Sequence, residues 1–175
     1  MVIWLVGMSG AGKTTIGRAL YASLKAQRPQ TVFVDGDEIR ALFRHDQQAD
    51  AYSVAGRRVN AERIQALCGW LDSQGIDVVC CILSMFQDIS DDNRQRFSSY
   101  REVFVDVPLS TLISRDNKGL YQSALRGEQS NVVGVDIEYP PPQRPDLVLH
   151  NRHEPDDIPG YVERIRQLCG YPPSC

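Results

Sequence analysis

The chain has 175 residues, 42% hydrophobic and 23% charged, which reads as a single domain spanning 1–175 with a core that needs no disulfide staples. Thirteen glycines and ten prolines without a repeat exclude collagen-like and low-complexity classes. A formal charge of −3 argues against a surface built to grip a nucleic-acid polymer, and leaves room for a local anion site.

Val2 to Val6 is a continuous apolar run stopped by Gly7, the pattern of a strand buried on both faces of a parallel sheet. A glycine-rich turn follows, then a helix from Thr14 to Lys25 with Ile16, Leu20 and Leu24 on one face. Thr31 to Val34 predicts a second strand and Glu38 to Phe43 a short helix. Ser53 to Leu71 predicts a long helix, with Ile64, Leu67 and Leu71 at helical spacing. Ile76–Leu83, Glu102–Val107 and Asp146–Leu149 predict three further strands, and Pro155–Leu168 a terminal helix. Strands alternating with helices give an α/β fold around a five-stranded parallel sheet. Between Lys118 and Pro145 the periodicity gives way to Gly, Asn, Gln and the Pro140-Pro141-Pro142 run. A stretch of that length inside a compact domain reads as a functional lid.

No apolar run approaches the ~18–20 residues needed to cross a membrane, and the N-terminus lacks a basic segment of the signal-peptide kind. Cys68, Cys80, Cys81, Cys169 and Cys175 are odd in number, include an adjacent pair and have no CxxC spacing. They read as reduced thiols of a cytoplasmic protein rather than as a zinc site or disulfide framework. Lysine is scarce, with three against sixteen arginines, and two of the three, Lys13 and Lys118, lie in motifs.

Gly7-Met8-Ser9-Gly10-Ala11-Gly12-Lys13-Thr14 satisfies G-x-x-x-x-G-K-[ST] between a buried strand and a helix, the context that motif requires. Backbone N–H groups there converge on phosphate oxygens, and the helix N-terminus adds partial positive charge. Lys13 is expected beside the β- and γ-phosphates of ATP, and the Thr14 hydroxyl on Mg²⁺. A GTP switch is disfavoured because Asn117-Lys118-Gly119-Leu120 lacks the aspartate that would read guanine. A small-molecule kinase needs an acceptor site at the ends of neighbouring strands, and Asp35, Asp37 and Arg40 fall there. A carboxylate so placed can take the proton of an acceptor hydroxyl; the alternative for Asp37 is a helix cap. Arg57 and Asn60 share a helix face suited to an anionic, hydrogen-bonding substrate.

The P-loop run through Thr15, together with Asp35-Gly36-Asp37-Glu38-Ile39-Arg40 and Arg115-Asp116-Asn117-Lys118-Gly119-Leu120-Tyr121, resembles the adenylylsulfate (APS) kinase family. Its members make 3′-phosphoadenylylsulfate from ATP and APS, and the likeness extends from Val2 to about Leu149. The resemblance implies a P-loop NTPase fold with a mobile lid over about 118–145, and ATP with Mg²⁺ as the cofactors. It also implies a small anionic nucleotide as acceptor, and a homodimer. ATP would lie on Gly7, Ser9, Gly10, Ala11, Gly12, Lys13, Thr14 and Thr15, with Arg115 near the base. Asp35 would contact the acceptor 3′-hydroxyl as base, while Arg40, Arg57 and Asn60 hold the acceptor nucleotide. Leu83 and Ser84, ending the Cys81-Ile82-Leu83-Ser84 strand, would lie beside the acceptor. Lys118 would reach the phosphates from the lid, completing a catalytic set with Lys13 and Asp35.

Several positions depart from the family pattern. The chain is expected to have essentially none of the leader that usually precedes the first strand in the family, and the usual Ser-Phe-Ile-Ser-Pro reads Cys81-Ile82-Leu83-Ser84-Met85. The basic stretch after it is Phe86-Gln87-Asp88-Ile89-Ser90, leaving Arg94 as the candidate replacement arginine. The aspartate before the acceptor-side arginine is Gly56. Two phenylalanines that clamp the acceptor adenine align with Tyr52 and Val132. The expected activity is therefore transfer of the γ-phosphoryl of ATP to the 3′-hydroxyl of APS. The alternative acceptor is another activated nucleotide, such as a cytidine diphosphate derivative, as in the cytidine diphosphoramidate kinases.

Overall fold

Five runs rich in apolar and β-branched residues become strands β1 (Val2–Val6), β2 (Thr31–Asp35), β3 (Asp77–Ile82), β4 (Tyr100–Asp106) and β5 (Leu147–His150). The computed structural model describes residues 1–116 and 119–172, and in it these strands form one parallel sheet ordered β2-β3-β1-β4-β5. All five residues of β1 are buried, as its position between β3 and β4 demands. Its side chains alternate between two cores. Ile3 and Leu5 join the face covered by α1 (Lys13–Gln27) and α7 (Ile158–Leu168), packing with Ile16, Leu20, Leu24 and Ile165. Val2, Trp4 and Val6 join the face covered by α3 (Val54–Ser73), with Ile64 and Cys68. Burying each such side chain is worth about 1.5–3 kcal/mol, so this strand anchors the fold.

The remaining helices are α2 (Gly36–Leu42), α4 (Gln87–Arg96), α5 (Leu109–Ser114) and α6 (Leu120–Leu125). The last three were not expected from the sequence. α4 carries a single large apolar residue, Ile89, and its buried side also holds Ser90 and Asn93, so no apolar stripe announces it. α5 and α6 have six residues each, too short to show a period. Cys68, Cys80 and Cys81 are buried free thiols, as expected, and Cys169 is free and half-buried. No described helix is long and apolar enough to cross a membrane.

β1 adjoins β3 and β4, while the chain leaving it goes first to the outer strand β2. Crevices at the carboxyl ends of such a sheet, where the strand order reverses, are where α/β proteins bind ligands. The ends of β1, β2 and β3 carry the P-loop, Asp35 and Leu83 respectively.

Candidate active site

The P-loop joins β1 to α1 and opens onto a cavity of about 580 Å³ lined by Ser9, Gly10, Gly12, Lys13, Thr14 and Thr15. Gly12, at the N-cap of α1, has φ 94°, and no side chain caps the helix, so its first N–H groups lack intramolecular side-chain acceptors. A methyl group at Gly12 would collide with the side-chain amide of Asn151, which donates to the Ala11 carbonyl at 2.8 Å. Asn151 thus braces the loop from the end of β5. The Lys13 ammonium donates to the Met8 carbonyl at 2.8 Å, which folds the side chain across the loop. Thr14 Oγ1 donates to Asp35 Oδ2 at 2.8 Å, linking the P-loop to β2.

Asp35 is buried and does two structural jobs: it meets Thr14, and its Oδ1 accepts the Asp37 N–H at 2.9 Å as the N-cap of α2. The helix cap expected as the alternative for Asp37 is therefore Asp35. Asp37 instead accepts from Arg40 at 2.8 Å with an exposed carboxylate on the cavity wall. The buried Arg40 guanidinium lies 4.7 Å from the centre of the Tyr52 ring, and that of Arg57 lies 5.7 Å from it. Arg57 also donates to the carbonyls of Tyr52 (2.8 Å) and Asn131 (2.9 Å). Burial, and after it the neighbouring Arg40 charge, lowers the Arg57 pKa. Two guanidinium groups thus crowd one ring on the cavity wall. Asn60, 1% exposed, donates to the Gly36 carbonyl, while its Oδ1 and the Arg40 Nε are buried without a protein partner.

Gly56 explains one departure from the family pattern. A side chain there would strike the Asp50 carbonyl, because the loop before α3 is drawn down onto the helix's first turn. The buried ring of His45 holds it, with Nε2 donating to the Gly56 carbonyl at 3.0 Å and Nδ1 at 2.8 Å from Gln48.

The cavity thus gathers Ser9, Gly10, Gly12, Lys13, Thr14, Thr15, Asp35, Asp37, Arg40, Tyr52, Arg57, Asn60 and Leu83 of the expected set. Gly7 and Ala11 are buried behind the loop. Ser84 is buried beside a separate, smaller recess that also holds Glu102 and Ser90. Arg115 lies outside the wall and donates to the Arg152 carbonyl at 2.9 Å. Val132, expected at the acceptor clamp, is 2% exposed and packs in the same cluster as Leu112 and Tyr121. The Asp136 carboxylate accepts the Asn131 and Val132 N–H groups at 2.6 Å each, a turn that tucks Val132 inward and leaves Val133 on the cavity wall. Arg94, the candidate replacement for the missing family arginine, is engaged with Asp146 and Glu102. Lys118 lies outside the described residues.

The expected lid region is better tethered than its composition implied. Tyr121 donates to the Ser9 carbonyl at 2.7 Å, and Gln143 and Arg144 bond to Gln87 and Asp91 of α4. Sequence reasoning missed Asn151, His153, Gln129 and Asn131, which brace or line the cavity. Asn151 and His153 directly follow β5, and their position at a strand's carboxyl end was the available signal.

Residues 1–150 match the family described as adenylylsulphate kinase. The chain belongs to that family. A cytidine diphosphoramidate kinase of Campylobacter jejuni is 43% identical over 150 residues, covering 86% of this chain and 85% of the relative. An adenylyl-sulfate kinase of Deinococcus deserti is 36% identical over 148 residues, covering 85% and 80%. The APS kinase of Mycobacterium tuberculosis, solved with AMPPNP and APS, superposes with a TM-score of 0.82 at 28% identity, covering 97% of this chain and 96% of that one. The fold is that of the P-loop kinases, and the family member described here is an ATP-dependent phosphotransferase acting on a hydroxyl group.

Proposed function

We propose that this kinase phosphorylates a sugar hydroxyl of a small nucleotide bearing an anionic, diphosphate-like group, and that a cytidine diphosphate derivative is its acceptor. The observation that carries the first part is the Arg40–Tyr52–Arg57 cluster, in which two guanidinium groups crowd one ring. An anion between them relieves their mutual repulsion and can accept from the unpartnered Arg40 Nε. Two observations favour the smaller base. Tyr52, 45% exposed, offers one ring, and Val132, which aligns with the second clamp residue, is in the core. The 43% identity to the Campylobacter cytidine nucleotide kinase, against 36% for the Deinococcus APS kinase, agrees with this. APS is the second reading, supported by the structural likeness to an APS kinase solved with that substrate.

Thr14 Oγ1 and the Asp35 carboxylate, 2.8 Å apart, are the hard oxygen donors that suit Mg²⁺, which takes few protein ligands and keeps water and phosphate oxygens around it. When bound there, Mg²⁺ would neutralise phosphate charge. Lys13 and the first N–H groups of α1 hold the phosphates in line, and phosphoryl transfer depends mainly on that positioning and charge stabilisation. Asp35 accepts the proton of the acceptor hydroxyl. Lys118 supplies further positive charge from the lid, and a cytoplasmic setting suits a consumer of ATP. Steady-state kinetics with matched cytidine and adenosine acceptors test the assignment. A higher kcat/KM for the cytidine compound supports it, and preference for APS transfers the assignment to the second reading.

A further inference from the structure

We propose that His45 is a positioning residue for the acceptor: its ring clasps the loop before α3 and thereby holds Tyr52 where the acceptor nucleotide meets it. The inference rests on the acceptor end proposed above. Arg40, Tyr52, Arg57 and Asn60 line that end of the cavity. Three of them stand on helices, Arg40 on α2 and Arg57 and Asn60 on α3. Tyr52 is the exception, carried by the loop between those helices.

That loop has little apolar packing to hold it. Across 41–55, all of them described, His45 and Ala51 are the only buried residues. A stretch with so little burial belongs to the low-stability end of a fold, where local opening is easy. His45 is 2% exposed and directly follows Arg44, whose left-handed φ of 53° marks the turn out of α2. Its Nε2 donates at 3.0 Å to the Gly56 carbonyl in the first turn of α3, eleven residues further on. Nδ1, 2.8 Å from Gln48 Oε1, engages the loop itself. Gly56 leaves room for this closure, since a Cβ there would strike the Asp50 carbonyl. At the loop's far end Ser53 Oγ accepts the Gly56 N–H at 3.0 Å and donates to the Asp50 carbonyl at 2.7 Å. The end of the loop is thus tied locally, while its beginning reaches α3 through the imidazole.

The clasp delivers Tyr52 to the two arginines. Its carbonyl accepts from Arg57 Nε at 2.8 Å, and its ring lies 4.7 Å from the Arg40 guanidinium. A ring held in place before the acceptor arrives spares the cost of ordering it on binding, a gain in affinity rather than in rate.

Steady-state kinetics of the full chain with ATP and Mg²⁺, on a cytidine diphosphate derivative and in parallel on APS, test this. His45→Leu fills the space without a donor. With whichever acceptor wild-type protein turns over faster, it should raise the acceptor KM roughly 3- to 10-fold, the range for one hydrogen bond. The kcat and the ATP KM should stay within about 2-fold, the tolerance of uncoupled sites. His45→Gln, whose amide keeps a donor for the Gly56 carbonyl, should recover part of the loss. In a Tyr52→Ala background His45→Leu should move the acceptor KM by less than about 2-fold, because the residue it positions is gone. An unchanged acceptor KM in folded His45→Leu, a fall in kcat alone, or an equal rise with and without Tyr52 overturns the proposal. Wild-type protein that turns over neither acceptor overturns the reading of the acceptor end itself, and the role of His45 with it.

Discussion

Asp35→Asn separates chemistry from architecture at this site. The wild-type carboxylate accepts from Thr14 with one oxygen and from the Asp37 N–H with the other. Asparagine keeps an oxygen for the second bond, and Asn and Asp are about equal as N-caps, so the helix start should survive. On the first side a donor replaces an acceptor, and Thr14 can answer by accepting instead, because a hydroxyl does both. The expected stability change is therefore within about 0.5 kcal/mol, the level of substitutions that break no buried feature. The lost function is proton acceptance, which is worth about 10²–10⁴-fold in rate. Initial rates of ADP release at saturating ATP and acceptor, with thermal denaturation of both proteins in parallel, measure the two quantities. A folded Asp35→Asn enzyme turning over within a few-fold of wild type would refute the assignment of Asp35 as the base. A collapse in melting temperature would refute the view that its capping role survives the change.

Lys13→Ala should lower phosphoryl transfer by about 10²–10³-fold with the fold intact, checked by turnover and melting together. Arg57→Ala should raise the acceptor KM roughly 10- to 150-fold, as expected for hydrogen bonds to a charged group, while the ATP KM moves little. Val132→Phe should overpack the core at about 1–3 kcal/mol, each kcal/mol lowering the melting temperature by roughly 2–4 °C. It should not tighten any acceptor, which acceptor KM values check. Amides in 119–131 should exchange more slowly with both nucleotides bound than with neither, because Leu120, Gln129 and Asn131 line the cavity. The core-anchored Val132 amide should change little.

The β-sheet was legible because each strand is a short apolar run ended by a turn, and β1 is buried throughout. The P-loop and Asp35 were legible because their chemistry demands particular residues at fixed spacing. What could not be read was set by long-range packing. Val132 aligned with a clamp residue, but the Asp136 turn decides which of two adjacent valines faces the cavity. Arg94 lay near the right place in the chain, and buried Glu102 together with Asp146 draws it elsewhere. Asn151 and His153 act on the P-loop across some 140 residues of chain, a relation visible only once β5 is placed at the sheet edge.

The central claim is that the γ-phosphoryl group passes from ATP to a sugar hydroxyl of an anionic nucleotide. Phosphorus NMR of a reaction containing the protein, Mg²⁺, ATP and a cytidine diphosphate acceptor, with a parallel reaction on APS, tests it directly. ADP and sugar-phosphorylated acceptor should form in equal amounts, with the cytidine reaction the faster. ADP accompanied only by free inorganic phosphate, whichever nucleotide is present, would contradict it.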